Sequence, residues 1–200
     1  MLAYEGPFGV GYATATIEVD EPENQDDGFN PAGFARQVVD TFLQTDRLPP
    51  APANFPAKPQ GCFVCLKRDG EFQVCVGSVL PSEDTLAKEV ARHALVAVQR
   101  YADKHELNVD EVIHHLSFTV DLLDKPKKVK SIQDLDPKRH GLVVTAGDRQ
   151  GVVLPDLEDV DTPEAQLALA LRKGGIAEDE KYQMSVFRVE RHAELFRPAW

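Results

Sequence analysis

The chain has 200 residues, 42% of them hydrophobic and 28% charged, enough for one core-bearing domain that keeps a polar surface. Its formal net charge of −11 argues against a nucleic-acid backbone or an anionic membrane as main partner, since both would repel it. No run approaches the roughly 18 consecutive apolar residues of a membrane helix. The opening Met-Leu-Ala-Tyr-Glu-Gly-Pro lacks the basic start and apolar run of a signal peptide. With three cysteines, an odd number, the expectation is a reducing cytoplasm and free thiols.

From the N-terminus, Val10 to Val19 alternates as a strand, and Glu21 to Asn30 is an acidic linker. Asn30 before Pro31 caps a helix running to about Gln44, with Phe34, Val38, Phe42 and either Ala35 or Val39 inward. The prolines of Pro49 to Gln60 give an extended crossing. Two short apolar strands then flank the Arg68-Asp69-Gly70 turn. Ser82 is expected to cap a helix from about Glu83 to Lys104, with Leu86, Val90, Ala94, Ala97, Val98 and Tyr101 inward.

A strand over Leu116 to Leu122 alternates, and the basic run Lys125 to Lys130 reads as a solvated loop. Gly141 to Thr145 and Gly151 to Leu154 form a hairpin across Gly147-Asp148-Arg149-Gln150. Thr162-Pro163-Glu164 opens a helix that Gly174-Gly175 ends, and Tyr182 to Val189 is a last strand. The order predicts an α+β domain, a largely antiparallel sheet built from hairpins with about three helices packed on it. Phe34, Phe42, Leu86, Val90, Phe118, Val120, Leu154 and Leu171 lie on the apolar phases and are expected to be buried.

Cys75, at the end of the second hairpin strand beside Gly77, is where a thiol could act as nucleophile. The same residue could equally pack as a small hydrophobe. Cys62 and Cys65 have the gap of a metal pair, but residues three apart on one strand face opposite ways, and no second pair exists. Depending on the hairpin register, Cys65 or Cys62 lies diagonal to Cys75, at about 7–8 Å between backbones. That is slightly far for a disulfide. His140, before Gly141 at a strand start, is the histidine placed to pair with Cys75. His114 and His115 face opposite ways, and His93 faces mostly polar residues. No metal or cofactor is expected.

The ordered wording resembles the AMMECR domain, also called AmmeMemoRadiSam system protein A. That family's Leu-Arg-Gly-Cys-Ile-Gly hexapeptide is matched by Phe72-Gln73-Val74-Cys75-Val76-Gly77, and the phrase before it by Phe63-Val64-Cys65-Leu66-Lys67-Arg68-Asp69-Gly70-Glu71. His140-Gly141-Leu142, Gly151-Val152-Val153-Leu154-Pro155 and Leu171-Arg172-Lys173-Gly174-Gly175 match further family motifs, so the resemblance spans about residues 31 to 192. Gln73 replaces the family arginine and Val74 the glycine, which removes a fixed cation and suggests a regular strand.

Gly6-Pro7-Phe8-Gly9-Val10-Gly11-Tyr12 resembles the closing strand of the Memo-type domain sometimes fused to this family. Residues 1–29 are therefore read as an N-terminal extension with one strand and an acidic linker, a possible relic of that domain, and 30–200 as the AMMECR-type domain. The resemblance implies partners: a Memo-like protein of dioxygenase fold and a radical S-adenosylmethionine enzyme. On one reading the domain binds partner or substrate at a cleft near Cys75 and His140, with Gln73, Gly77 and Pro155 contributing. On the other it is a thiol enzyme with Cys75 as nucleophile and His140 as base.

Overall fold

The computed structural model describes residues 28–109 and 113–194. The expected strand Val10 to Val19 and most of the linker lie outside the described residues. The elements run α1 (Pro31–Thr45), β1 (Cys62–Arg68), β2 (Glu71–Ser78), α2 (Leu86–His105), β3 (Leu116–Leu123), β4 (Lys127–Val129), β5 (Gly141–Ala146), β6 (Arg149–Val153), α3 (Pro163–Gly174), β7 (Gln183–Phe187) and β8 (Val189–Ala193). The α+β class is as expected, but the strands divide into two four-stranded sheets, ordered β2-β1-β3-β8 and β4-β7-β5-β6. Every strand pair among the described residues is antiparallel. No helix among the described residues is long and apolar enough to cross a membrane.

Local chemistry accounts for most boundaries. Asn30 Oδ1 accepts the Gly33 N–H at 2.8 Å, with Pro31 in the first turn, as its cap position dictates. Thr162 caps α3 and Gly175, at φ 61°, ends it. Ser82 is not the cap of α2. Thr85 is, accepting from Lys88 N, because Ser82 is already bound to the Glu89 carboxylate. The expected last strand is two strands, β7 in the second sheet and β8 in the first, parted at Arg188. Part of the basic run, Lys127–Val129, is the edge strand β4 rather than a loop.

The first sheet packs one face on α1 and α2. Val64 and Leu66 of β1 and Phe118, Val120 and Leu122 of β3 alternate onto that face and meet Phe34, Val38, Leu86, Val90 and Tyr101. The second sheet has its own core under α3, around Leu142, Val144, Val153 and Leu171. Between the sheets, Val79, Leu123, Val143 and Phe187 form a third cluster with Phe63 and Leu154 against it. Phe34, Leu86, Val90, Phe118, Val120 and Leu171 are buried as expected, while Phe42 and Leu154 are half-buried at the margins.

Candidate functional site

The strand bearing Cys75, β2, is an edge of the first sheet. Asp69 and Gly70, both at positive φ (53° and 84°), make the tight hairpin turn between β1 and β2. Arg68 pairs with Glu71 and Lys67 with Phe72, but Leu66 pairs with Val74, which leaves Gln73 as an extra residue in β2. The strand is therefore bulged one residue before Val74, where a regular strand was expected. Gln73, half-buried, donates from Nε2 to the Glu71 carbonyl at 3.3 Å. It makes a neutral contact, as its side chain allows.

The bulge moves Cys75 directly opposite Cys65, with Cα atoms 4.0 Å apart, and the two sulfurs form a disulfide. The expectation of free thiols is corrected here: with the Arg68–Glu71 turn an unbroken ladder would set Cys75 opposite Val64, and the extra residue shifts it by one onto Cys65. Cys62 is the free cysteine. It is buried against the helix side, where burial first and the Glu89 charge second push its thiol pKa well up. Such a thiol is inert.

Gly77 owes its identity to packing. A Cβ there would lie 2.3 Å from the Cys62 carbonyl oxygen and 2.4 Å from the Phe63 ring, the residue paired with it across the hairpin. Pro155 is buried, and His140 is half-buried at the start of β5 in the second sheet. His140 Nε2 faces Arg188 Nε at 3.4 Å, so it accepts, and its carbonyl accepts from Gln166 Nε2 at 2.7 Å. Cys75 is thus bonded to Cys65 and His140 to Arg188 and Gln166; no hydrogen bond joins Cys75 to His140 among the described residues.

Two charged constellations escaped sequence reading. On the sheet face shared with Cys65 and Phe63, the fully buried Asp121 carboxylate accepts two bonds from Arg191, at 2.7 and 2.9 Å. That pairing raises the arginine pKa. On the opposite face, at the end of β2, Glu89 is fully buried and gathers donors: the Ser78 hydroxyl, His93 Nε2 at 2.8 Å, Ser82 N–H at 2.8 Å and Glu83 N–H at 2.7 Å. A carboxylate only accepts, so His93 Nε2 carries the proton. Ser78 Oγ lies 3.2 Å from that same nitrogen. A serine–histidine–acid relay needs the two imidazole nitrogens to face serine and acid separately. Here one nitrogen faces both, so the cluster ties the β2–α2 loop to the helix. The sequence signal was present: Glu89 and His93 are four apart, adjoining the stripe of Leu86, Val90 and Ala94.

Surface cavities of about 610 Å³ and about 300 Å³ lie elsewhere, the first along Thr145, Gly147 and Tyr182, the second between α1 and α2 along Phe42, Leu43 and Leu95. Among the described residues no group of three or more His, Cys, Asp or Glu is placed to hold a metal.

The AMMECR1 family model matches residues 32–192, four-fifths of the chain and the whole hairpin just described. The chain belongs to the AMMECR1 family. Protein CA_C1420 of Clostridium acetobutylicum is 33% identical over 216 aligned positions, covering 97% of this chain and 46% of the relative. The chain thus spans less than half of that relative's length. A Thermotoga maritima protein is 39% identical over 137 positions, covering 66% of this chain and 76% of its own. Among solved structures, the uncharacterized protein PH0010 of Pyrococcus horikoshii superposes with a TM-score of 0.71 at 22% identity, covering 82% of this chain and 89% of its own, a likeness of fold.

Proposed function

We propose that this AMMECR1-type domain is a binding component of a multi-protein system, and that it docks its partner along β2. One observation carries the reading: among the described residues the motif strand is an open sheet edge, with Phe72 60% exposed at one end and Leu80 70% exposed just past the other. Unpaired backbone donors and acceptors on such an edge recognise an extended segment, and flanking apolar side chains anchor it. The partners that the resemblance implies are a Memo-like protein of dioxygenase fold and a radical S-adenosylmethionine enzyme. The Clostridium relative is consistent with joint action, since more than half of that protein lies outside the stretch matched here. So is the likeness of Gly6 to Tyr12 to a Memo-type closing strand. A thiol enzyme using Cys75 with His140 as base would need the Cys75 sulfur free, and here it is bonded to Cys65.

The test is binding of the purified Memo-like protein from the same organism, measured calorimetrically. The double substitution Phe72→Asp with Leu80→Asp should weaken binding on the order of tenfold or more, with thermal unfolding unchanged because both side chains are exposed. Unchanged affinity would place the interface elsewhere.

A further inference from the structure

Cys65 and Cys75 are joined across a strand pair in which only one partner is sheltered. Cys65 belongs to the inner strand β1, is 6% exposed, and has Thr119 of β3, itself 6% exposed, on its other side. Cys75 belongs to β2, is half-buried, and has no strand beyond it among the described residues. The S–S bond crosses from β1 to β2, so its extension past Cys75 points off the edge that β2 forms among the described residues. Its extension past Cys65 runs over β3.

We propose that this disulfide is a reversible redox clasp, opened by small monothiols of the glutathione class, with Cys75 as the sulfur that receives the incoming thiol. Exchange proceeds by in-line attack of a thiolate on one sulfur, with the other leaving. The approach is open at Cys75 and blocked at Cys65. The incoming thiolate bonds to Cys75 Sγ, the Cys65–Cys75 bond breaks, and Cys65 departs with the electron pair and takes a proton from water. A second thiolate then attacks the sulfur of the adduct, releasing the low-molecular-weight disulfide and leaving Cys75 as thiolate. Overall, two small thiols are oxidised to one disulfide and the protein gains two thiols. Reversal uses the same small disulfide as oxidant. Cys62 takes no part, being buried on the opposite face. The clasp concerns the sulfur pair alone and stands independently of the partner proposed for β2.

The experiment equilibrates the intact protein in glutathione redox buffers, quenches with an alkylating agent, and maps each cysteine by mass spectrometry. The expected result is a two-electron transition in which Cys65 and Cys75 gain and lose label together while Cys62 stays unlabelled until unfolding. In short exposures to reduced glutathione, the mixed disulfide should sit on Cys75, at least about tenfold over Cys65. Cys65→Ser should hold a stable glutathione adduct at Cys75, and the wild-type short-exposure map gives the same information should that variant fold poorly. Independent labelling of the two cysteines across all buffers, or an adduct found chiefly on Cys65, would overturn the proposal.

Discussion

Glu89→Ala is expected to lower the free energy of unfolding by about 3–5 kcal/mol, the scale on which a buried ionic network suffers when one partner is removed. The carboxylate is fully buried and serves two backbone N–H groups, a serine hydroxyl and a histidine at once. Its loss leaves His93, 5% exposed, with only the Ser78 hydroxyl oxygen, at 3.2 Å, as an acceptor near Nε2, and unpins the Ser82–Glu83 turn between β2 and α2. Chemical denaturation of the variant measures the change; a loss under about 1 kcal/mol would mean that water or a shifted loop replaces the carboxylate.

The same cluster sets a pH dependence. Burial raises the Glu89 carboxyl pKa, but the bonds from Ser78, Glu83, Ser82 and His93 outweigh it and hold the group below its ordinary value of 4.5. A carboxyl depressed on folding contributes stability above that unfolded value and loses it as pH falls. His93 is also depressed, because burial outweighs attraction to Glu89, so the unfolded chain takes up its proton first, near 6.5. Stability should therefore begin to fall below about pH 6.5 and fall further below about 4.5, with Glu89→Gln flattening the lower limb. Unfolding midpoints across this range check both steps.

Gly77→Ala is expected to cost about 3 kcal/mol or more, the upper range of overpacking. The new methyl meets the Cys62 carbonyl, which the hairpin ladder fixes, so rotation of the Phe63 ring alone cannot relieve it. Gly70→Ala is the control. At φ 84° with open space around it, it pays only the conformational penalty of about 1–2 kcal/mol. Equal losses at the two positions would show that the hairpin shifts to admit a methyl at Gly77 and that close packing does not dictate the glycine.

The elements were legible where chemistry is local. Asn30-Pro31, Thr162-Pro163, Asp69-Gly70 and Gly174-Gly175 each mark an end by their own side chains or by the lack of one. What was hidden depended on residues distant in the chain or on a one-residue shift. Asp121 and Arg191 meet because β3 pairs with β8, and nothing local announces that pairing. Tyr182 to Val189 reads as one strand, yet its end leaves for the other sheet. The Gln73 bulge adds one residue to β2 and shifts Cys75 from the place opposite Val64 to the place opposite Cys65, to which it is bonded. Family membership, by contrast, was readable in four motifs taken in order, since motif wording survives where pairing is unseen.

Docking along β2 is tested most directly by amide hydrogen exchange on the intact protein with and without the Memo-like protein. The prediction is slowed exchange across Glu71–Ser78, with the edge strands β4 and β6 of the second sheet unchanged. Slowing at β4, at β6 or between α1 and α2, with β2 exchanging as in the free protein, would contradict it.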